Sequence, residues 1–294
     1  MTFITDKNYQ IGIMTTLAFI LLPFLLSSSF IDFIAVFAVL TVGILHGAND
    51  LEILSKRFKG RSNHLYIKFL TLYLLIVLIG MALFFVTPAF ALLFFVIFSS
   101  YHFGEQHWGE KLSINPTNFI FYTLYGALIF FILFSFQYRE VIYVINKISG
   151  YTFGFYFFLN ISIILGITVL IWIVFNDSLR GHIVKECILF ILLAAIFYVD
   201  SLFFAFAFYF VVWHSLPSLK EQLIYLYGDF NFNSCLRYLK TSIIYWIASL
   251  GSLFIVYRYI DFEANYFMPL FFSFLAAITF PHTVVIGMMK YTNA

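Results

Sequence analysis

"AFALLFFVIFSSYHFGEQHWGE", residues 89–110, decides the fold. Its first ten residues carry no polar side chain, yet its last twelve include two histidines, two glutamates and a glutamine. So apolar a run reads as a membrane span, and the polar groups then gather at one end of it. The rest of the chain repeats the first half of this pattern. The 294 residues are 63% hydrophobic and 10% charged, where a soluble domain carries roughly a quarter charged residues. Many long apolar runs predict an all-α, polytopic integral membrane helix bundle of about 8–10 spans. The alternating ~10-residue strands of a β-barrel are missing.

Ten spans can be drawn, at 11–29, 31–48, 65–86, 88–104, 117–136, 153–175, 183–199, 201–216, 241–260 and 266–289. Pro88 and the pair Asp200-Ser201 serve as turn signals. The spans at 183–199 and 201–216 are short, and one broken or re-entrant helix is the alternative there. With both termini cytoplasmic, thirteen of the sixteen Lys and Arg fall inside, leaving Arg139, Lys147 and Arg258 outside. That split follows the positive-inside rule and predicts a multi-pass protein of the inner cell membrane. The run 11–26 lacks an A-x-A cleavage site and reads as the first span. No repeat or linker divides the chain, so 1–294 is expected to be a single transmembrane domain. A net charge of +2 gives no basis for a nucleic-acid partner. Cys187 and Cys235 sit in no CxxC pair.

Against this layout the histidines acquire depth. His46 ("VGILHGAND"), His102 ("SSYHFGEQHW"), His214 ("YFVVWHSLPSL") and His282 ("TFPHTVVIGMM") fall near the cytoplasmic ends of four different spans. Ionisable groups within a bilayer are costly and face the bundle interior or a partner. Neutral imidazole is the commonest nitrogen ligand of iron, copper and zinc. The four histidines are therefore the candidate metal ligands, against the alternative that each is only an interfacial hydrogen-bonder. Asp50, at i+4 from His46, shares its face if the helix continues past Gly47. It would then accept the ring's second N–H. Glu105, at i+3 from His102, is a candidate for the same part. His107, at i+5, points about 140° away on an ideal helix and is a second choice of ligand. His64 and His182 read as solvated loop histidines. Tyr101 and Trp213 are candidate cavity residues, while Trp108 reads as a membrane-interface anchor. Di-iron HxxxH sets, GxSxG and P-loop patterns are missing.

"HGANDLEIL", "YHFGEQHW", "WHSLPSLKEQ" and "PHTVV", in this order from about residue 40 to 290, resemble the Brp/Blh family. These are bacterial membrane β-carotene 15,15′-dioxygenases related to the bacteriorhodopsin-related protein. The resemblance implies Fe(2+) held by histidines and O2-dependent cleavage of the central double bond of β-carotene. Two retinal molecules would result and supply a microbial rhodopsin. His46, His102 and His214 match the family's histidines by position. The family often has a further histidine four residues after the third; here that position is Ser218, preceded by Pro217. His282 is then the choice for a fourth ligand, and His107 the next. A carotenoid dissolved in lipid would suit an apolar, aromatic-lined tunnel. Two other classes compete with this reading: a proton-relaying transporter, and a carotenoid- or retinal-binding membrane protein without enzyme activity.

Overall fold

A computed structural model describes residues 6–58, 63–109, 111–112, 116–259 and 267–290. Lys59 and Arg61 of the basic loop, and both termini expected on the cytoplasmic side, lie outside them. Every regular element among the described residues is helical. Apolar runs favour this outcome, because only a helix satisfies its own backbone groups in lipid without pairing to a neighbour. In chain order the α-helices are α1 (Asp6–Ile20), α2 (Ser28–Ala38), α3 (Asp50–Arg57), α4 (Asn63–Val86) and α5 (Pro88–Trp108). There follow α6 (Pro116–Phe136), α7 (Tyr138–Ser149), α8 (Phe155–Phe175), α9 (Asp177–Arg180) and α10 (Ile183–Val199). The last are α11 (Leu202–Phe208), α12 (Leu216–Tyr227), α13 (Phe232–Tyr259) and α14 (Phe267–Lys290).

Among the described residues seven helices are long and apolar enough to cross a membrane, so the protein is multi-pass. They cover His64–Val86, Pro88–Trp108, Thr117–Phe136, Phe155–Phe175, Leu202–Tyr227, Phe232–Arg258 and Phe267–Lys290. The expected spans at 11–29 and 31–48 are represented by the shorter apolar helices Tyr9–Phe24 and Ser28–Gly43. Pro23 sits in a 3-10 turn in the first, and the second ends in a π-turn, Val39–Gly43. Asp200-Ser201 does break the chain as expected. The Ser201 side chain accepts from the Phe204 N–H and caps α11. From there the helix runs past the predicted end at 216, through a second π-turn, Tyr209–Ser215, and into α12. Pro217 falls at the start of α12, directly after this π-turn.

Two compact units make up the chain. The first takes residues 1–39, 96–143 and 151–214. In it α6 lies along α8, α11 along α2, and α10 against α1 and α6. Two glycines set the closest helix contact of this unit. A Cβ on Gly104 would stand 1.9 Å from the Tyr122 carbonyl oxygen, and one on Gly126 the same distance from that of Ser100. Only residues without a side chain let α5 and α6 meet backbone to backbone.

The second unit takes residues 40–95, 144–150 and 215–294, and is built on α14 packing against α4 and α3. Leu51, Ile53 and Leu54 of α3 interlock with Val285, Ile286 and Met289 of α14, and Tyr66, Phe69 and Tyr73 of α4 close over them. Asp50 and Glu52 open α3 while Lys56 and Arg57 end it, which matches the helix dipole at both ends. This packing fixes the first residue of α3 beside the C-terminal half of α14.

Candidate functional site

The four candidate ligands are all buried, with exposures of 4% for His46, 1% for His102, 2% for His214 and 4% for His282. Within each unit two of them meet edge to face. In the second unit the rings of His46 and His282 stand 4.6 Å apart at 88°. Each offers a ring nitrogen within 4.8 Å of one from the other.

The backbone ahead of His46 is arranged to hold its ring. In an α-helix the Gly43 carbonyl would accept from the Gly47 N–H. Here the Gly47 N–H goes to Ile44 instead, at 3.1 Å. The Gly43 carbonyl is thereby released and accepts from Nδ1 of His46. This assigns the Nδ1–H tautomer and puts the ring's lone pair on Nε2. The chain then makes tight turns through Ala48 before α3 begins. Tyr238 braces this non-helical stretch. Its hydroxyl donates to Gln222 Oε1 at 2.7 Å and lies 3.1 and 3.2 Å from the carbonyl oxygens of His46 and Leu45. Asn49 Nδ2 donates to the Tyr238 carbonyl at 2.9 Å. Gln222 Nε2 in turn donates to Ser218 Oγ at 3.1 Å, so Ser218 is a fully buried member of this network.

Asp50 was expected on His46, but its carboxylate lies on His282. Nδ1 of His282 donates to Asp50 at 2.9 and 3.1 Å to its two oxygens, and the Tyr73 hydroxyl donates to Oδ2 at 3.0 Å. The reason is the break after His46. The i+4 relation assumed a continuous helix, and the turn at Gly47 cancels it.

In the first unit, His102 and His214 stand 4.8 Å apart at 77°. Aromatic rings confine them. Phe103 is 4.7 Å from His214, and Phe210, one turn before it, stacks on it at 5.3 Å and 27°. Gln106 Nε2 donates to the His214 carbonyl at 3.0 Å, which ties α5 to the π-turn.

The remaining expected residues sit nearby in distinct settings. His107 turns away from His102, as its spacing predicted, and its Nε2 lies 3.1 Å from Glu186 Oε1. Tyr125 donates to the other Glu186 oxygen at 2.5 Å and stacks on the His107 ring at 4.9 Å. Glu105 is buried and folds back under Gly109, whose Cβ position is 3.0 Å from Oε1. Tyr101 stacks on Phe119 of α6 at 4.6 Å. Trp108 is no interface anchor. It is fully buried against Phe121, Tyr125 and His182, each at 5.7 Å. His182 is accordingly half-buried on the Trp108 ring, while His64 is exposed. Tyr73, Tyr238, Gln106 and Glu186 were missed. Tyr73 and Glu186 carried a signal, as polar groups inside the apolar runs "TLYLLIV" and "KECILF".

A family model described as beta-carotene 15,15′-dioxygenase matches residues 37–290. The chain belongs to the β-carotene 15,15′-dioxygenase family. No curated protein matches it, and no solved structure does. All four candidate histidines lie within the matched residues, as do Asp50, Tyr73 and Tyr238. The family makes the chain a membrane carotenoid dioxygenase. In the second unit the buried imidazoles of His46 and His282 could bind a metal ion. The donor set fits one. Ligating imidazoles as a rule donate their second N–H to a carbonyl or a carboxylate, and His46 and His282 do so to Gly43 and Asp50.

Proposed function

We propose that this dioxygenase cleaves β-carotene, or a closely related carotenoid, at its central double bond with O2 to give two molecules of retinal. Fe(2+) is the cofactor of this reading, held by His46, His102, His214 and His282, and the retinal would supply a microbial rhodopsin. The observation that carries the proposal is the pair of buried, edge-to-face imidazoles in each unit of a chain of this family.

The chemistry asks little of proton-transferring groups. One carbon–carbon double bond breaks, each carbon takes one oxygen atom of O2, and no proton is gained or lost overall. A general acid or base is therefore not required, and a donor set of neutral imidazoles suits the task. Bound iron would supply the one-electron chemistry that lets O2 react with a closed-shell polyene. The chain's own residues supply geometry. Gly43 and Asp50 hold two rings in one tautomer, and Phe103 and Phe210 keep water from His214. Tyr73 holds Asp50 through the hydrogen bond to Oδ2. Such positioning of the reactants is where a protein contributes to a reaction between two small or apolar partners. The membrane provides the substrate, since a C40 hydrocarbon dissolves in it.

The test is expression in a β-carotene-producing bacterium, with chromatography of the extracted pigments and metal analysis of the purified protein. Bleaching with retinal formation and bound iron is expected. Unchanged carotenoid beside protein verified in the membrane would overturn the central-cleavage reading.

A further inference from the structure

The N-terminal helix lies outside the residues that match the family, which begin at 37. Yet one face of α1 is shaped around the neighbour of a candidate ligand. Tyr9, Gly12 and Thr16 share that face by their spacing, and the Trp213 indole lies in the notch between them. Trp213 Nε1–H donates to Thr16 Oγ1 at 3.2 Å, and the Tyr9 ring meets the indole at 6.3 Å and 67°. Gly12 makes the room. A Cβ there would stand 2.7 Å from Cη2 and 3.0 Å from Cζ2 of Trp213, too close for real carbon contacts. Thr16 is fully buried, and its own hydroxyl hydrogen goes to the Gly12 carbonyl at 2.7 Å. Its oxygen is thus left to accept from the indole. The Tyr9 hydroxyl donates to the Lys185 carbonyl at 2.5 Å, which fastens α1 to α10.

What Trp213 controls follows from its place in the π-turn Tyr209–Ser215. A π-turn holds one residue more than the α-helix would. Loss of that bulge turns the following residues by one helical step, about 100°. His214 is the next residue after Trp213, so its direction depends on the phase of this turn.

We infer that α1 is a clamp on the π-turn: Gly12 and Thr16 are positioning residues that act through Trp213 to aim the His214 ring at its metal. This rests on the proposed function, in which His214 ligates iron.

The test uses the full chain in detergent, with iron(II) affinity measured by chelator competition on folded, monodisperse protein. Gly12→Leu keeps helix propensity but fills the notch, and Thr16→Val keeps shape while removing the acceptor. Thr16→Ser is the conservative rescue, and Met14→Leu is a control on the lipid-facing side of α1, where Met14 is 70% exposed. Gly12→Leu should weaken iron binding about 10-fold or more, within the range seen when outer-shell support of a ligand is lost. Thr16→Val should weaken it about 5-fold, the equivalent of one hydrogen bond. Thr16→Ser and Met14→Leu should bind as the wild type does. If Gly12→Leu does not fold, Thr16→Val decides alone. Wild-type iron affinity in Thr16→Val, even with a lowered melting temperature, overturns the clamp and leaves the iron reading intact. A wild-type protein without iron overturns both.

Discussion

The two histidine pairs have nearly the same ring geometry and sit in different surroundings. In the second unit each imidazole is tied by a hydrogen bond, His46 to the Gly43 carbonyl and His282 to Asp50, with Tyr73 and Tyr238 as further polar braces. In the first unit the His214 ring is wedged between Phe103 and Phe210. Gln106 adds a hydrogen bond there to the backbone carbonyl of His214. Hydrogen bonds choose a tautomer and a direction at once, whereas apolar packing limits direction and excludes water without choosing which nitrogen carries the proton. Loss of a hydrogen bond in the second pair and loss of an aromatic contact in the first should therefore leave different marks on the proposed site.

The largest effect should come from removing any ring of either pair. Alanine at His46, His102, His214 or His282 is expected to abolish iron binding and retinal formation while the protein still reaches the membrane. Metal analysis and pigment chromatography check this. Full activity after loss of one pair would break the comparison, since only the other pair would then be a metal site.

Next in size is an effect on stability confined to the first unit. Leaving a buried hydrogen-bonding group without its partner costs about 1–3 kcal/mol. Glu186→Leu strands His107 and Tyr125 and should lower the melting temperature strongly. Protein that still folds should keep its iron, because the His107–Glu186 pair is separate from the His102–His214 contact. Iron lost in step with Glu186 would place His107 among the ligands.

Polar support in the second unit can be graded. Asp50→Leu removes the acceptor of the His282 ring and should weaken iron binding by about 10- to 100-fold. Tyr73→Phe removes a single hydrogen bond to the same carboxylate, worth about 1 kcal/mol, or about 5-fold. Equal losses from the two variants would show that Tyr73 reaches the site by a route other than Asp50.

How much of this was legible in the sequence follows from the range of each interaction. Spans such as Phe155–Phe175 and Pro116–Phe136 are long apolar runs, and their ends were readable to within two residues. The candidate ligands stood out because imidazoles are rare at the ends of such runs. The π-turns were not legible, since "VLTVG" and "YFVVWHS" fit an α-helix equally well and only packing selects the extra residue. Nor was the partner of Asp50. His282 lies 232 residues away, and the local alternative at i+4 failed because of the turn at Gly47. Trp108 was misjudged for a related reason. A tryptophan at a span end suits the lipid interface by composition, and only the tertiary fold shows it closed in by Phe121, Tyr125 and His182.

The smallest effect is expected where the comparison is subtlest, at Phe103. Its ring lies 4.7 Å from His214 and stacks on Phe130 at 5.3 Å and 12°, so it carries the load of the aromatic wall on both sides. Phe103→Leu keeps most of the apolar volume and loses the ring–ring component, about 0.5–1.5 kcal/mol per pair. If packing alone directs His214, that loss should appear as a 2- to 10-fold weaker iron affinity, the fold-change equivalent of that range. It should also be accompanied by a broader spread of ligand geometry in the electron paramagnetic resonance of a nitric oxide adduct. The Tyr73→Phe variant keeps the Asp50–His282 hydrogen bond, so its adduct should keep a narrow signal. An unbroadened signal in Phe103→Leu would mean that the backbone of the π-turn aims His214, with its aromatic neighbours serving only to keep it dry.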